Sequence, residues 1–165
     1  MGFFIEKITY SQLMKQAERQ HIALQQLVLE ISPFIAKLLQ DYGTKHSELH
    51  ELYFNFHQLQ FELEYHMIKA ETTVFPKIQL YEKTKDIGSL LITLQTICEL
   101  NKESELIIDL LKELRKITNG FKPPSEVCAM YKLTYMKLEH FDKNVVEHIN
   151  LEHHLLFARF VNEVA

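Results

Sequence analysis

The placement of glycine is the feature that most constrains this fold. Apart from Gly2 at the start, the chain contains only Gly43, Gly88 and Gly120, and each follows a long periodic segment. Glycine is the usual residue just past the C-terminus of a helix. The three glycines divide the chain into four segments of roughly 30 to 45 residues, each long enough for a helix of many turns. No sustained alternation with a period of two indicates a strand.

Within each segment, apolar residues recur with a period close to 3.6, the repeat of an α-helix. The inward-facing stripes cover 14–42, 49–73, 90–111 and 127–155. Short connections between long helices favour antiparallel neighbours, and the length of the chain suits one domain. The sequence therefore predicts an all-α protein, with residues 1–165 folded as one up-down-up-down four-helix bundle.

Prolines interrupt two of the helical segments. Pro33 follows Ser32, so this pair either begins a new helix or kinks a single long one. Pro76 is expected to kink or end the second helix, because proline lacks the backbone N–H that an interior helical position needs. These two positions leave the exact helix boundaries open.

Composition excludes several classes of partner. The net charge is −4 with neutral histidines and no long basic block occurs, so a nucleic-acid partner is not predicted. We expect no membrane-spanning segment, because the apolar runs are short. Cys98 and Cys128 cannot form a disulfide framework, and two reduced thiols are typical of a cytoplasmic protein.

Both ends of the chain carry apolar residues. Phe3 and Phe4 and the tail "LLFARFVNEV" can pack either against a second subunit or on their own bundle. A homodimer is therefore possible but is not required by the sequence.

Three histidines and one glutamate lie on the apolar stripes, and they raise the question of function. These residues are His21, His66, His148 and Glu152. Burying a carboxylate is costly unless it is paired or bound to a metal, and helical bundles build metal sites from inward-facing His and Glu. His148 and Glu152 are four residues apart, so both can reach one ion. The ligand types suit iron, zinc and manganese about equally.

A purely structural interpretation is possible for the same residues. A histidine on an apolar stripe is commonly a hydrogen-bonded core residue, and Glu152 can pair with such a histidine without any metal. The remaining histidines lie off the stripes or in the loop after Gly43, and we predict them to be on the surface. They are His46, His50, His57, His140, His153 and His154.

Four stretches resemble one family of proteins. They are "YGTKHSEL", "YHMIKAETTVFPKI", "ITNGFKPPSEVCAMYKLTYMKLEHF" and "HINLEHHLLFARF". They resemble motifs of hemerythrin-like proteins of the repair-of-iron-centres type, and the similarity extends from about Tyr10 to the end. The resemblance implies a hemerythrin-like bundle with a non-haem di-iron centre, held by histidines from all four helices and two bridging glutamates.

The resemblance also implies a biological context. These proteins are linked to nitrosative and oxidative stress, to nitric oxide and to repair of iron–sulfur clusters, so an iron–sulfur protein is a possible partner. Many carry a small cysteine-containing N-terminal domain. We expect none here, because the first helix is predicted to begin near residue 8.

The family ligands are only partly present. The four stripe residues named above match ligand positions, but three other positions depart from the family pattern. Tyr42 and Ser104 stand where the family has histidines, and Ala70 stands where it has a bridging glutamate. Glu71 is adjacent, but it is rotated by about 100° from the stripe and can reach the site only through a bulge or tilt of the helix.

The sequence therefore predicts a divergent hemerythrin-like protein that binds at most one ion, iron or zinc. The predicted ligands are His21, His66, His148 and Glu152. The first alternative is a metal-free scaffold or interaction protein with a vestigial site. The second is a working di-iron stress protein that recruits Glu71, Tyr42 or His46 as replacement ligands. Metal affinity is expected to fall below about pH 6, because imidazole must be neutral to bind a metal.

Overall fold

A computed structural model describes residues 7–165, and no strand occurs in this part of the chain. The helices are α1 (Tyr10–Tyr42), α2 (Glu48–Lys69), α3 (Phe75–Thr84), α4 (Leu91–Ile117), α5 (Ala129–Ile149) and α6 (Ala158–Val164). A first π-helical segment (Ala70–Val74) joins α2 to α3, and a second (Asn150–Phe157) joins α5 to α6. The four rods are thus α1, α2–α3, α4 and α5–α6. The predicted all-α four-helix bundle is confirmed.

The ends of α1 show how local residues set the helix boundaries. The Thr9 side chain accepts a hydrogen bond from the Gln12 N–H, and the Gln12 side chain accepts one from the Thr9 N–H, which forms a capping box. At the other end, the Gly43 N–H donates to the carbonyl of Leu39 at 2.9 Å. A Cβ atom at Gly43 would lie 2.4 Å from that carbonyl oxygen, so the turn requires glycine.

Neither proline breaks the rods. Pro33 lies inside α1, which continues to Tyr42, so the alternative of a new helix at Ser32 is wrong. Buried Ile31 and Ile35 flank this proline on the inward stripe, and their packing favours an unbroken helix. Pro76 stands in the first turn of α3, where its missing N–H costs little.

The apolar core is divided into two clusters with polar residues between them. The larger cluster includes Phe56 and Phe141, whose ring centroids are 5.4 Å apart. The smaller cluster lies at the other end of the bundle and includes Tyr10, Phe75 and Phe160. On α1, the larger cluster begins at Leu24 and the smaller one ends at Ala17, so the polar layer falls at the level of His21.

The predicted stripes match the buried faces over most of the chain, with departures on α4 and near the second π segment. On α4 the predicted stripe residue Asn101 is exposed, whereas Leu100 is fully buried. Leu155, the predicted last member of the fourth stripe, is 46% exposed, whereas Leu156 and Phe157 are fully buried. A π turn contains more residues than an α turn, so every residue after it is rotated relative to a regular helix. The core-facing position at this point is therefore displaced by one residue from the predicted one.

One expectation about membranes needs correction. By length and composition alone, α1 is apolar enough to cross a membrane, and it is the single such helix between residues 7 and 165. A single helix of this kind is weak evidence, and the inward stripe of α1, from Leu13 to Leu38, is buried in the bundle. The absence of a membrane partner stays a prediction.

The C-terminal tail packs on its own bundle. The Phe160 ring is fully buried and meets the rings of Tyr10 and Tyr81 at centroid distances of 5.9 and 5.4 Å. Phe3 and Phe4 lie outside the described residues. The possible homodimer therefore stays a prediction.

Candidate metal centre

The structure brings the four sequence-predicted ligands together in the polar layer. His21 comes from α1, His66 from α2, His148 from α5 and Glu152 from the second π segment. Each is at most 1% exposed. A buried carboxylate surrounded by histidines requires protons or a cation to offset its charge.

Glu152 stands at the centre of this group. Its Oε1 lies 2.7 Å from Nε2 of His66 and 3.7 Å from Nε2 of His153. Its Oε2 lies 3.0 Å from Nε2 of His21 and 3.5 Å from Nε2 of His148. Each carboxylate oxygen therefore faces two imidazole nitrogens.

His153 was predicted to be a surface residue, and that prediction is wrong. Its side chain is 5% exposed, and its Nε2 lies 3.0 Å from Nε2 of His66. In a regular α-helix, adjacent residues point about 100° apart, so Glu152 and His153 would not face one site. The second π segment turns both side chains inward. The other histidines predicted to lie at the surface do not join this group, and His50, His140 and His154 are exposed.

The ligand atoms form two half-sites that share Glu152. We call His21, His148 and Oε2 of Glu152 the first half-site, and His66, His153 and Oε1 of Glu152 the second half-site. The two Nε2 atoms are 3.2 Å apart in the first and 3.0 Å apart in the second. Two nitrogens that each bind one ion at about 2.0–2.1 Å would be separated by roughly 3.0 to 3.4 Å. The spacing therefore suits one ion in each half-site.

A carboxylate contacts Nδ1 of His21, the ring nitrogen that does not face Glu152 and that we call the outer nitrogen. Nδ1 of His21 lies 2.5 Å from an oxygen of Glu71, whose side chain is 42% exposed. Glu71 reaches this position because the first π segment provides the bulge that the sequence analysis required. It contacts the outer nitrogen and not the inner one, so Glu71 orients a ligand rather than replacing the glutamate missing at Ala70.

Amide side chains support two more histidines. Nδ1 of His148 lies 3.1 Å from the Gln20 side-chain oxygen, and Nδ1 of His153 lies 2.6 Å from that of Asn101. These two partners were not recognised from the sequence. Asn101 did leave a signal, because it is a polar residue within the predicted inward stripe of the third segment.

These outer contacts determine which nitrogen carries the proton. A neutral imidazole has one N–H, and when Nδ1–H donates to an oxygen, Nε2 is left with a lone pair. Lone pairs of His21 and His148 would then face each other across 3.2 Å, beside an anionic carboxylate. Such an arrangement is repulsive unless a proton or a cation lies between the nitrogens. The donor set therefore fits metal ions, and metal-ligating histidines are typically oriented by such outer partners.

The pKa values of the buried histidines and of Glu152 also fit a metal-binding centre. Burial lowers the pKa of His148 to about 4 and that of His153 to about 3. Burial opposes a charge on Glu152, but hydrogen bonds from His21 and His66 hold the pKa of that carboxyl well below its usual range. Burial also opposes a charge on His21, yet its hydrogen bonds to Glu152 and Glu71 raise its pKa. At neutral pH His148 and His153 are therefore neutral imidazoles beside an ionised carboxylate.

These shifts predict that the metal-free protein loses stability in mild acid. His148 and His153 have folded-state pKa values of about 4 and about 3, below the ordinary 6.5. Between these values the unfolded chain binds more protons than the folded chain, so the free energy of unfolding falls as pH decreases below 6.5. Each histidine contributes about 1.4 kcal/mol per pH unit at most.

Urea denaturation of chelator-treated protein at pH 7, 6 and 5 measures this slope. In His148→Gln the slope should fall to about half. A free energy of unfolding that stays constant from pH 7 to pH 5 would contradict the assigned pKa shifts.

Two proposed replacement ligands lie far from the centre. Tyr42 follows His21 by 21 residues on the same helix, which separates them by roughly 31 Å. The Tyr42 ring instead packs on Tyr131 and His46, at centroid distances of 5.3 and 6.2 Å. The hypothesis that Tyr42 or His46 replaces a ligand is therefore wrong.

Ser104 is buried at 6% exposure, and its hydroxyl donates to the backbone carbonyl of Asn101 at 2.7 Å. It does not meet the imidazole nitrogens of the centre. Among the described residues, α4 therefore approaches the centre through outer partners, and the fourth imidazole comes from His153 in the second π segment.

Comparison with known proteins finds relatives among repair proteins. The chain is 24% identical over 139 residues to the iron-sulfur cluster repair protein ScdA of Staphylococcus epidermidis, which covers 84% of this chain and 61% of that protein. For ScdA of Staphylococcus haemolyticus the identity is 25% over 142 residues, covering 86% and 63%. The iron-sulfur cluster repair protein YtfE of Escherichia coli O81 is 30% identical over 98 residues, covering 59% and 41%. The chain thus spans about three fifths of the staphylococcal relatives.

A family profile covers most of the chain. The profile of the hemerythrin HHE cation-binding domain matches residues 13–160. That range includes every residue of both half-sites and most of the four rods that position them. The chain therefore belongs to the hemerythrin HHE cation-binding domain family.

Proposed function

We propose that this protein binds two metal ions, one in each half-site, with Glu152 as their shared ligand and iron as the natural metal. The observation that supports this proposal is the pairing of four Nε2 atoms around the two oxygens of one buried carboxylate. The sequence analysis predicted at most one ion because three family ligands are replaced. That count left out His153, whose imidazole completes the second half-site.

The donor types favour iron, with zinc as the competitor. Each half-site offers two imidazoles and one carboxylate oxygen, a set typical of non-haem iron with open coordination positions. Zinc is bound by the same donors in other proteins. Iron held in this way supplies redox chemistry and binding positions for small molecules.

The protein residues have defined roles in this proposal. Glu71, Gln20 and Asn101 hold three imidazoles with Nε2 directed inward. The two apolar clusters exclude water from either side of the polar layer, which strengthens electrostatic interactions within it.

For the cellular role, we propose participation in the repair of iron–sulfur clusters during oxidative or nitrosative stress, with an iron–sulfur protein as the partner. The support is the similarity to ScdA and YtfE, whose names state this role for those proteins. The predicted cytoplasmic location fits this proposal, since the two cysteines are free.

A metal-free scaffold is the second candidate. The contacts from Nε2 of His21 and of His66 to Glu152, at 3.0 and 2.7 Å, are also within hydrogen-bond distance. N–H groups at these two positions would hydrogen-bond the carboxylate without any metal ion. The two candidates differ in one measurable property, the metal content.

Metal analysis of protein purified from iron-supplemented cells separates these functions. We expect about two equivalents of iron in the wild type. His148→Ala removes an inner nitrogen of the first half-site and should lower the content by at least one equivalent. His140→Ala, an exposed position on the same helix, is the matched control and should retain both ions. A wild type without metal that folds normally would favour the scaffold.

A further inference from the structure

We infer that the two half-sites differ in affinity, and that Lys69 sets this difference by holding Glu103 away from His66. This inference rests on the proposed function, because it concerns the relative strength of the two ion positions. It assigns a positioning role to an ion pair outside the ligand set.

The outer partner of the first half-site is in direct contact with its ligand. An oxygen of Glu71 lies 2.5 Å from Nδ1 of His21. Among residues 7–165, no lysine or arginine forms an ion pair with Glu71. No cation in this part of the chain therefore competes with the imidazole for its negative charge.

The corresponding partner of the second half-site does not make its contact. Oε2 of Glu103 lies 3.8 Å from Nδ1 of His66, beyond hydrogen-bond distance. Both atoms are buried, and neither has a hydrogen-bond partner within the described part of the chain. Two buried polar atoms that face each other without a bond indicate that something restrains one of them.

Lys69 supplies that restraint. Its Nζ lies 2.9 Å from Oε1 of Glu103 and 2.7 Å from Oε2 of Glu99. The Lys69 side chain is only 18% exposed, so this ion pair is partly screened from water. Lys69 follows His66 by three residues on α2, which places both on one side of the helix. The lysine both neutralises Glu103 and fixes its position.

The consequence for metal binding follows from the role of outer ligands. A carboxylate hydrogen-bonded to a ligating histidine raises its basicity and fixes its ring, and loss of such a contact typically costs about 10- to 100-fold in metal affinity. The first half-site has this contact and the second lacks it. We therefore expect the first ion to bind at His21 and His148, and the second to bind more weakly at His66 and His153.

This difference also bears on the number of ions retained during purification. If the second half-site binds its ion more weakly by this factor, a wild-type preparation at low iron concentration holds close to one equivalent of iron. The one-ion prediction from the sequence and the two half-sites of the structure then describe the same protein at different iron concentrations.

The test is a calorimetric titration of metal-free protein with Fe²⁺ under anaerobic conditions, against a competing chelator. The wild type should show two steps that differ by about 10- to 100-fold. Lys69→Met frees Glu103 to accept a hydrogen bond from Nδ1–H of His66. The weaker step should then tighten by about 10-fold, while the stronger step stays unchanged.

Two further variants separate positioning from simple loss of charge. Lys102→Met removes the same charge from an exposed residue next to Glu103 on α4, and it should leave both steps unchanged. In Lys69→Met combined with Glu103→Gln, the gain should disappear, because the freed carboxylate is absent. In the imidazole ¹H–¹⁵N spectrum of the zinc-loaded protein, Lys69→Met should shift the Nδ1–H signal of His66 downfield.

The outcomes are distinct. Three results would each overturn the inference and leave two-ion binding intact. They are equal affinities for the two ions in the wild type, an unchanged affinity of the weaker step in Lys69→Met, and the same increase in affinity in Lys102→Met. A wild type that holds one ion and gains a second in Lys69→Met would support it. Failure of all variants to bind Fe²⁺ would overturn the proposed function, and this inference with it.

Discussion

Glu152→Gln is expected to weaken metal binding in both half-sites by at least roughly 100-fold, because it removes the one residue that they share. The two oxygens of Glu152 serve separate pairs of histidines. Glutamine keeps one oxygen but replaces the other with an amide that donates hydrogen bonds, and it carries no charge. Loss of a direct ligand should cost more than loss of an outer partner, which typically costs about 10- to 100-fold.

The measurement is iron content after dialysis together with Fe²⁺ titration. Glu147→Gln, an exposed glutamate of α5, is the matched control and should bind as the wild type does. Circular dichroism should show that the variant keeps its helices, since the apolar clusters are unchanged. Two ions bound tightly by Glu152→Gln would contradict the central position that we assign to this carboxylate.

His153→Asn is expected to remove one ion and leave the other. Asparagine is too short to bring a donor atom to the place of Nε2, so the second half-site loses one of its two nitrogens. The first half-site shares only Glu152 with it and should keep its ion. The iron content should therefore fall from about two equivalents to about one at saturating Fe²⁺.

His154→Asn provides a control at the adjacent position, because His154 is exposed. It should retain both ions. If His154→Asn lost an ion and His153→Asn did not, the π-helical register of this segment would be wrong. Two neighbouring histidines with opposite effects would be difficult to explain by a general effect on stability.

The architecture could be predicted from the sequence because its signals repeat. Each rod presents the same 3.6-residue period many times, so an isolated polar residue on a stripe does not obscure the pattern. Pro33 carried only a local signal, and burial of Ile31 and Ile35 on either side decided its effect. Boundaries set by single residues were therefore less predictable than the rods themselves.

The inner site was predictable as far as the helical period holds, which extends to the carboxylate at the start of the second π segment. His21, His66 and His148 lie in α-helical stretches, so their inward direction follows from the period. Glu71 and His153 lie in π segments, where the turn is wider and the period no longer holds. A π turn arises from the packing of the whole bundle, so the local sequence gave no reason to turn these side chains inward.

The outer partners depend on information that a single sequence does not contain. Whether Gln20 meets Nδ1 of His148 is decided by how α1 crosses α5 and by the side-chain conformations of both residues. The same applies to Asn101 and His153 across α4 and the second π segment. Sequence separations of 128 and 52 residues give no such geometry.

The π segments have a consequence for how metal sites are compared between proteins. Comparisons match residues in aligned columns and assume that a column faces the same direction in every member. In this protein a π turn changes the direction in which the following side chains point. A metal ligand can therefore come from the residue next to the aligned position, without any insertion in the alignment. When a divergent member of such a family lacks an expected ligand, the next residue along the chain can supply it. That residue should be checked before the protein is counted as unable to hold a metal.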